Sequence, residues 1–396
     1  MQLVNSAIHE SLSHSSGIRK MFEAGIEMKK KYGADNVYDF SLGNPDVPPP
    51  AAVADALHRI ADRVSEPFSL GYMPNAGYPG LRAQLGEYLS AEQGVEIPAG
   101  HVLVTVGAAS ALNVFFRAVL ECGDEVMTPS PYFVEYGSYC GNYGGVLKTV
   151  PSRDFTFELD VPAMAAALNA KTRAIILNSP HNPTGVIYRR ESLEALAEAV
   201  ADAEKRYGRP IYVIADEPYR FLNFDQAEIP SFFTVFNHSV IVGSFSKSLS
   251  LAGERVGYLA VNPGISGGDE LMNALILCNR ILGYVNAPAI GQQVLAACLN
   301  EQVDVDIYRR RRQAMAEALD GAGIAYTMPR GAFYFFPKSP VEDERIFVDA
   351  LLQERILAVP GRSFGTPGYV RLAFCVDEKV IRAAAPGFAR AAAALR

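Results

Sequence analysis

A lysine and an arginine follow one apolar run of this sequence, among residues with small side chains. The run "SVIVGS" ends at Ser244, and the stretch "GSFSKSLSLAGERVGY" places Lys247 and Arg255 eight residues apart. An amine at the end of a buried strand is partly desolvated, which lowers its pKa and frees it to act as a nucleophile or a base. A guanidinium offers a planar fork of donors that suits a phosphate. Either residue alone is also typical of an ordinary surface charge.

Two other apolar runs end in polar groups that point to the same chemistry. Asp216 ends "IYVIAD", and Tyr219 follows three residues later. A buried carboxylate is costly without a positive partner, so Asp216 is either a structural ion pair, a helix cap, or an acceptor for a protonated ring nitrogen. Asn182, in "NSPHNPTG", presents an amide to a ligand or only belongs to a rigid turn. His181 beside it is interpreted as part of that turn.

A glycine turn before a helix offers backbone donors for a phosphate. "TVGAASAL" from Thr105 is typical of a strand, a turn and a helix start, with the N–H groups of Ala108 and Ala109 at that start. Such turns are common, so this motif alone is weak. The sequence contains neither GxGxxG nor GxxxxGK[ST], and therefore neither a dinucleotide fold nor a P-loop is predicted.

These candidate residues need strands that end close together. Short β-branched runs alternate with helical stretches, which predicts an α/β fold with a mostly parallel sheet covered by helices. We place this large domain at residues 51–290, a smaller α+β domain at residues 291–396, and an N-terminal segment, residues 1–50, beside the smaller domain. The predicted strands of the large domain are "HVLVTV", "DEVMTP", "RAIILN", "IYVIAD", "SVIVGS" and "VGYLAV".

Composition excludes several classes of function. The formal net charge is −7, which argues against a nucleic-acid partner. No apolar run reaches the about 20 residues of a membrane span, and the N-terminus does not resemble a signal peptide. Five scattered cysteines, none in a CxxC pair, predict no disulfide framework and no zinc site. We therefore expect a cytoplasmic protein that binds neither membrane nor metal.

Four motifs, in the same order, resemble those of the class I and II aminotransferases, fold type I enzymes that depend on pyridoxal 5′-phosphate. "NSPHNPTG" fits the Asn-Pro-x-Gly motif of this family, and "DEPYR" fits its Asp-x-x-Tyr motif. "SFSKSLSLAGERVG" fits the lysine signature, with arginine eight positions after the lysine, and "YVRLAF" fits the arginine strand. The similarity covers nearly the whole chain.

The resemblance implies catalytic roles for three of these residues. Lys247 would form the Schiff base with the cofactor and then move a proton, and Asp216 would keep the pyridine nitrogen protonated. Tyr219 and Asn182 would hydrogen-bond the phenolic oxygen of the cofactor.

The resemblance also implies binding residues. Ala108, Ala109, Ser244 and Arg255 would bind the phosphate, although "GAAS" lacks the hydroxyl residue frequent in this turn and has Ser110 slightly later. Phe133, with Tyr132 as the alternative, would stack on the cofactor. Gly43, Asn182 and Arg371 would contact the substrate, with Arg371 on its α-carboxylate. Tyr72 would reach the phosphate of a partner subunit, which implies a homodimer with shared sites.

Three functions remain open from the sequence. The preferred one exchanges an amino group between an L-amino acid and a 2-oxo acid. A C–S β-lyase or a related lyase of the same fold is the first alternative, and "SLGNPD" favours the aminotransferase because C–S lyases tend to replace that segment. A non-catalytic regulator that binds the cofactor is the second alternative, and the retained Lys247 speaks against it. Substrate choice stays open, with Arg280 and Arg330 as candidates for a side-chain carboxylate on position alone.

Overall fold

The computed structural model of the protein describes residues 3–6, 8, 9 and 17–396. The other residues of the predicted N-terminal segment, including part of the stretch judged not to be a signal peptide, lie outside the described residues. The strands are β1 (Tyr38–Asp39), β2 (Val102–Thr105), β3 (Glu125–Ser130), β4 (Val146–Pro151), β5 (Thr172–Asn178), β6 (Tyr212–Asp216), β7 (Ser239–Ser244), β8 (Gly257–Val261), β9 (Tyr334–Phe335), β10 (Ile356–Leu357), β11 (Val359–Pro360) and β12 (Val370–Ala373).

Helices separate most of these strands. They are α1 (Gly17–Tyr32), α2 (Ala51–Asp62), α3 (Pro79–Gln93), α4 (Gly107–Val119), α5 (Glu135–Gly141), α6 (Val161–Ala167), α7 (Arg190–Tyr207), α8 (Phe232–Val235), α9 (Gly268–Ile281), α10 (Ala289–Cys298), α11 (Val305–Gly321), α12 (Glu344–Gln353) and α13 (Glu378–Ala393). Short 3₁₀ turns span Ala34–Asn36, Ala99–His101, Ala252–Glu254 and Gly361–Phe364.

Local sequence explains where several helices begin and end. The side chains of Asp160, Asp304, Asp343 and Asp377 each accept a backbone N–H in the first turn of α6, α11, α12 and α13. Helix α7 ends at Gly208, which adopts the left-handed conformation that glycine tolerates best.

A seven-stranded sheet forms the centre of the fold, in the order β2-β8-β7-β6-β5-β3-β4. Neighbouring strands are parallel except at β8, which runs antiparallel to both β2 and β7. The predicted mostly parallel sheet is confirmed. Apolar side chains pack on both faces of this sheet, with Ile175 and Val213 on one face and Ile176 and Ile214 on the other. This double burial explains why the strands are apolar throughout.

Two smaller sheets and a third apolar core involve the C-terminal part of the chain. Strand β12 pairs antiparallel with β11 and β9, and β1 pairs in parallel with β10. The third core lies around Phe333, Phe335, Leu372 and Phe388. The predicted limit between residues 290 and 291 falls inside α10, whose residue Val294 packs with the core of the large sheet. The division into residues 1–50, 51–290 and 291–396 stays a prediction.

Two kinds of feature are absent from the described residues. No helix among them is long and apolar enough to cross a membrane. No group of three or more His, Cys, Asp or Glu side chains in the same part of the chain could bind a metal ion. All five cysteines are free thiols, and only Cys122 is exposed.

Candidate active site

The carboxyl ends of β5, β6 and β7 meet the first turn of α4 at one cavity of about 300 Å³. Parallel strands end at the same edge of a sheet, so the motifs that follow them converge there. Predicted site residues that line this cavity are Ala108, Ala109, Phe133, Asn182, Asp216, Tyr219, Ser244, Lys247 and Arg255. Of the other predicted site residues, Gly43 bonds Lys247 and Arg371 bonds Asn182, whereas Tyr72 lines a separate depression on the surface.

Lys247 presents its amine inside the cavity. Its Nζ donates a hydrogen bond to the carbonyl oxygen of Gly43 at 2.5 Å and lies 5.7 Å from the ring centre of Phe333. Burial lowers the pKa of Lys247, and the charges of Arg255 and Arg371 lower it further, against the opposing effect of Cys375. The amine is therefore easier to deprotonate than a surface lysine, as a nucleophile requires.

Asp216 offers one carboxylate oxygen that has no partner among the described residues. Its Oδ2 accepts a hydrogen bond from the hydroxyl of Tyr136 at 2.5 Å, whereas its Oδ1 is buried and accepts no hydrogen bond from the part of the chain that the structure describes. Burial raises the pKa of Asp216 to about 6, although the bond from Tyr136 opposes this rise. A positively charged N–H donor facing Oδ1 would satisfy the oxygen and stabilise the ionised form. A protonated pyridine nitrogen has this property.

The first turn of α4 and Arg255 form a seat for an anion. The first N–H groups of a helix have no intrahelical partner, and the helix dipole favours negative charge there. Gly107 has φ +76°, and a Cβ built on it would lie 2.7 Å from Nη2 of Arg255. The guanidinium thus lies directly against the helix start. The hydroxyl of Ser110 donates back to the carbonyl oxygen of Gly107 at 3.1 Å, so donors at this turn come from the backbone.

Arg371 is a buried guanidinium without a carboxylate partner among the residues that the structure describes. Its Nη2 donates to the carbonyl oxygen of Ser41 at 2.6 Å, and its Nη1 to Oδ1 of Asn182 at 3.3 Å. The rings of Tyr334 and Phe364 lie 4.8 and 4.7 Å from the guanidinium carbon, and Nε is buried without a partner. A buried charge needs an opposite charge, so this arrangement fits the carboxylate of a ligand.

Three of these four features fit pyridoxal 5′-phosphate. The amine of Lys247 suits its aldehyde, the unpaired Oδ1 of Asp216 suits its ring nitrogen, and the anion seat at α4 and Arg255 suits its phosphate. The sequence model of the family described as "Aminotransferase class I and II" matches residues 35–387. The chain belongs to this family.

Individual relatives agree with this assignment. The chain is 32% identical over 366 residues to a probable aspartate/prephenate aminotransferase of Aquifex aeolicus, covering 89% of this chain and 90% of that protein. It is 31% identical over 378 residues to the aspartate/prephenate aminotransferase of Thermus thermophilus, covering 92% and 93%.

Solved structures give the same result. The crystal structure of an aminotransferase from Eubacterium rectale superposes with a TM-score of 0.93 at 36% identity, covering 99% of this chain and 98% of that one. Aspartate aminotransferase of Thermus thermophilus with maleate gives 0.87 at 27% identity, covering 99% and 100%. The chain is thus a pyridoxal-phosphate-dependent aminotransferase, and the predicted fold, activity and cofactor are confirmed. These relatives favour the aminotransferase over the lyase.

This aminotransferase also has cavity residues that the sequence motifs did not indicate. Of the two candidate stacking rings, Phe133 lines the cavity and Tyr132 does not. Tyr136 and Tyr139, both on α5, follow Phe133 at intervals of three residues, which could have indicated a shared face. Tyr139 lines the cavity, and Tyr136 bonds Asp216 in its wall. Other residues that were not singled out are Leu112, Asn178, Pro218, Ser246 and Ala252 in the cavity wall, and Tyr334 behind Tyr219.

Several candidate residues lie away from the cavity in this single chain. Tyr72 is 96% exposed and lines a separate surface depression. Arg280 is exposed at the end of α9, and Nε of Arg330 lies 3.8 Å from Oδ2 of Asp225. His181 is buried, and burial lowers its pKa to about 3, so it stays neutral and bonds Thr184 within its turn.

Proposed function

We propose that Lys247, Asp216 and Tyr219 carry the amino transfer of this enzyme between an L-amino acid and a 2-oxo acid. The observation that supports this assignment is the unpartnered Oδ1 of Asp216, which is buried in the wall of the cavity that contains the amine of Lys247. Neither an ion pair nor a helix cap explains this oxygen. Among the described residues, the side chain of Asp216 accepts one hydrogen bond, from Tyr136, and Oδ2 rather than Oδ1 accepts it.

Each of these residues has a distinct task. When bound, pyridoxal 5′-phosphate supplies an aldehyde and a ring that withdraws electrons from the reacting carbon. Lys247 would hold the aldehyde through Nζ, and the same atom would accept and return a proton during the transfer. Its lowered pKa makes the neutral amine available for both tasks. Asp216 would hold the ring nitrogen through Oδ1, and the hydroxyl of Tyr219 would donate a hydrogen bond to the phenolic oxygen, as would the amide of Asn182.

The remaining residues would bind and orient. Ala108 and Ala109 would provide backbone N–H groups to the phosphate, and Ser244 and Arg255 would provide side-chain donors. Phe133 would stack on the ring. Arg371 would bind the substrate carboxylate, beside the amide of Asn182 and the backbone of Ser41, and Gly43 stays a predicted substrate contact.

The names of the relatives indicate which amino donors to test first. The curated relatives above are described as aspartate/prephenate aminotransferases. In the described part of this chain, Arg255 is the only arginine that lines the cavity, while Arg280 and Arg330 lie outside it. The relatives' names place aspartate first in the donor panel. The lack of a second cavity arginine among the described residues places aromatic and apolar amino acids, which the neighbouring Tyr and Phe side chains would suit, directly after it.

We further propose a cytoplasmic homodimer that acts in amino-acid metabolism. The exposed apolar side chains of Phe68 (92% exposed) and Leu70 flank Tyr72, and a second copy of the chain would cover them. In such a dimer Tyr72 would reach the phosphate of the partner subunit. Five free thiols suit a reducing compartment.

The test is a half-reaction with the purified holoenzyme. Addition of an amino donor without an oxo acid should abolish the absorbance of the lysine-linked cofactor and release one equivalent of 2-oxo acid per site. Lys247→Ala should show neither effect, whereas Lys338→Ala, at an exposed lysine, should behave like the wild type. Repeated release of pyruvate and ammonia from cysteine conjugates, with no oxo acid present, would instead establish the lyase.

A further inference from the structure

Tyr334 lies between two groups that the proposed function assigns to different molecules. Its hydroxyl is 3.0 Å from the hydroxyl of Tyr219, and its ring faces the guanidinium of Arg371 at 4.8 Å. Tyr334 is 2% exposed and sits on β9, which pairs with the strand that carries Arg371. One side chain therefore touches both the proposed donor to the cofactor and the proposed clamp on the substrate.

The same hydroxyl also lies against the segment that contacts Lys247. A Cβ built on Gly43 would lie 2.0 Å from the hydroxyl oxygen of Tyr334. Only a residue without a side chain allows this approach, and the carbonyl oxygen of Gly43 accepts the hydrogen bond from Nζ of Lys247. Tyr334 thus fixes the distance between that segment and Tyr219.

The two phenols share a hydrogen bond in which only one of them can be the donor. Tyr219 can give its own proton to a ligand in the cavity only if it accepts the proton of Tyr334. Burial raises the pKa of Tyr334 to about 12, opposed by the charge of Arg371, while burial raises the pKa of Tyr219 well above its usual range. Burial therefore keeps both phenols protonated, and the shared bond leaves the proton of Tyr219 available to the cavity only when Tyr334 is the donor.

We propose that Tyr334 is a positioning residue that orients the hydroxyl proton of Tyr219 toward the cofactor and couples that orientation to carboxylate binding at Arg371. The inference rests on the proposed roles of Tyr219 and Arg371. A carboxylate on Arg371 neutralises the charge next to the ring of Tyr334, and this change reaches Tyr219 through the shared hydrogen bond. Buried tyrosines commonly have a hydrogen-bond partner for stability alone, so the test must separate positioning from packing.

The measurement is a pH titration of the visible absorbance of the lysine-linked cofactor. Tyr334→Phe keeps the ring on Arg371 and removes the hydroxyl. We expect its titration midpoint to rise by about half to one pH unit, since a hydrogen bond to Tyr219 is lost. Tyr326→Phe is the matched control, because it removes a phenol that bonds Asp320 outside the cavity, and its midpoint should equal that of the wild type.

Two further comparisons connect the effect to its proposed route. Tyr219→Phe should also raise the midpoint, and the double variant Tyr219→Phe with Tyr334→Phe should show no further rise. If the hydroxyl couples the two sites, propionate, as a carboxylate probe, should shift the titration midpoint of the wild type more than that of Tyr334→Phe. Tyr334→Leu, which also removes the ring, should in addition weaken propionate binding. In turnover, Tyr334→Phe should lower kcat by up to about tenfold with little change in KM.

Different outcomes reject different statements. A wild-type midpoint for Tyr334→Phe, or additive rises in the double variant, would overturn the role of Tyr334. If the absorbance of the bound cofactor were the same in the wild type and in Lys247→Ala, the proposed function would be overturned instead. Because Tyr334→Phe conserves the packing of the ring, the inference stays testable even if Tyr334→Leu fails to fold.

Discussion

Gly107→Ala tests the proposed phosphate seat with a single added methyl group. At φ +76°, alanine is strained by roughly 1–2 kcal/mol. The new Cβ would also lie 2.7 Å from Nη2 of Arg255, so the guanidinium must move away from the helix start. The end of an arginine side chain moves at little cost to the fold, and the main loss should therefore appear in binding rather than in stability.

The expected loss follows from the displaced donor. A hydrogen bond to a charged group contributes about 1.5–3 kcal/mol, which corresponds to about a 10- to 100-fold weaker affinity for pyridoxal 5′-phosphate. We would titrate the cofactor-free protein with pyridoxal 5′-phosphate and follow the absorbance of the lysine-linked form. The same titration with inorganic phosphate as a competitor isolates the contribution of the phosphate group.

Gly208→Ala is the matched control for backbone strain. Gly208 has φ +67° and no atom within 4 Å of a built Cβ, so it shares the strain and lacks the contact with Arg255. Both variants should lose similar stability, but only Gly107→Ala should lose cofactor affinity. In an Arg255→Ala background the Gly107 substitution should cost little more. Unchanged affinity in Gly107→Ala, or an equal loss with and without Arg255, would refute the assignment of the phosphate to this seat.

Four further outcomes are expected. Burial raises the folded-state pKa of Asp216 to about 6 and that of Glu217 to about 7, both above the values in the unfolded chain. These two carboxyl groups therefore stabilise the cofactor-free protein fully below about pH 4, and this stabilisation is lost as the pH rises through 6 and 7. The Tm of the wild type should therefore fall between pH 4 and pH 8, and the Tm of Glu217→Gln should fall less. An equal fall of Tm with pH in both proteins would contradict this. Asp216→Asn should flatten the slope as well and lower kcat at least about 100-fold, and a near-normal kcat would contradict its role. Arg371→Lys should raise KM for amino donors about 10- to 100-fold with a smaller effect on kcat, since a single ammonium replaces a bidentate fork; an unaltered KM would exclude the clamp. Mixing inactive Lys247→Ala with weakly active Tyr72→Ala subunits should restore activity in hybrid dimers, and no gain on mixing would argue against shared sites.

The large sheet could be predicted because its strands are buried on both faces. Six of its seven strands were recognised as apolar runs between turns. Strand β4 was missed, because its sequence "VLKTVP" contains a lysine and half-exposed positions, whereas β2, the strand at the opposite edge, is buried throughout. A half-exposed strand lacks the continuous apolar pattern that distinguishes a buried strand from a loop.

Residues directly after a strand could be predicted as site candidates, whereas residues that reach the cavity through packing could not. Asp216 and Lys247 follow their strands within a few residues, so the topology alone brings them together. Tyr136 and Tyr334 reach the same site from a helix and from a separate sheet. In "AFYFF", Tyr334 lies among buried aromatic residues, and nothing local distinguishes a tyrosine that touches the site from one that only fills the core.

The reversed direction of β8 restricts how this enzyme can vary. Ser244 and Gly257 are directly opposite each other in the β7–β8 pair, so the connection from residue 245 to residue 256 leaves and returns at the same edge of the sheet. A helical crossover to a parallel strand would have returned at the far edge, roughly 17–20 Å away. Lys247 and Arg255 are near the two ends of this one connection. The pairing of β7 with β8 therefore sets the span between the groups proposed for the aldehyde and the phosphate, and a shift of register between these two strands would change that span.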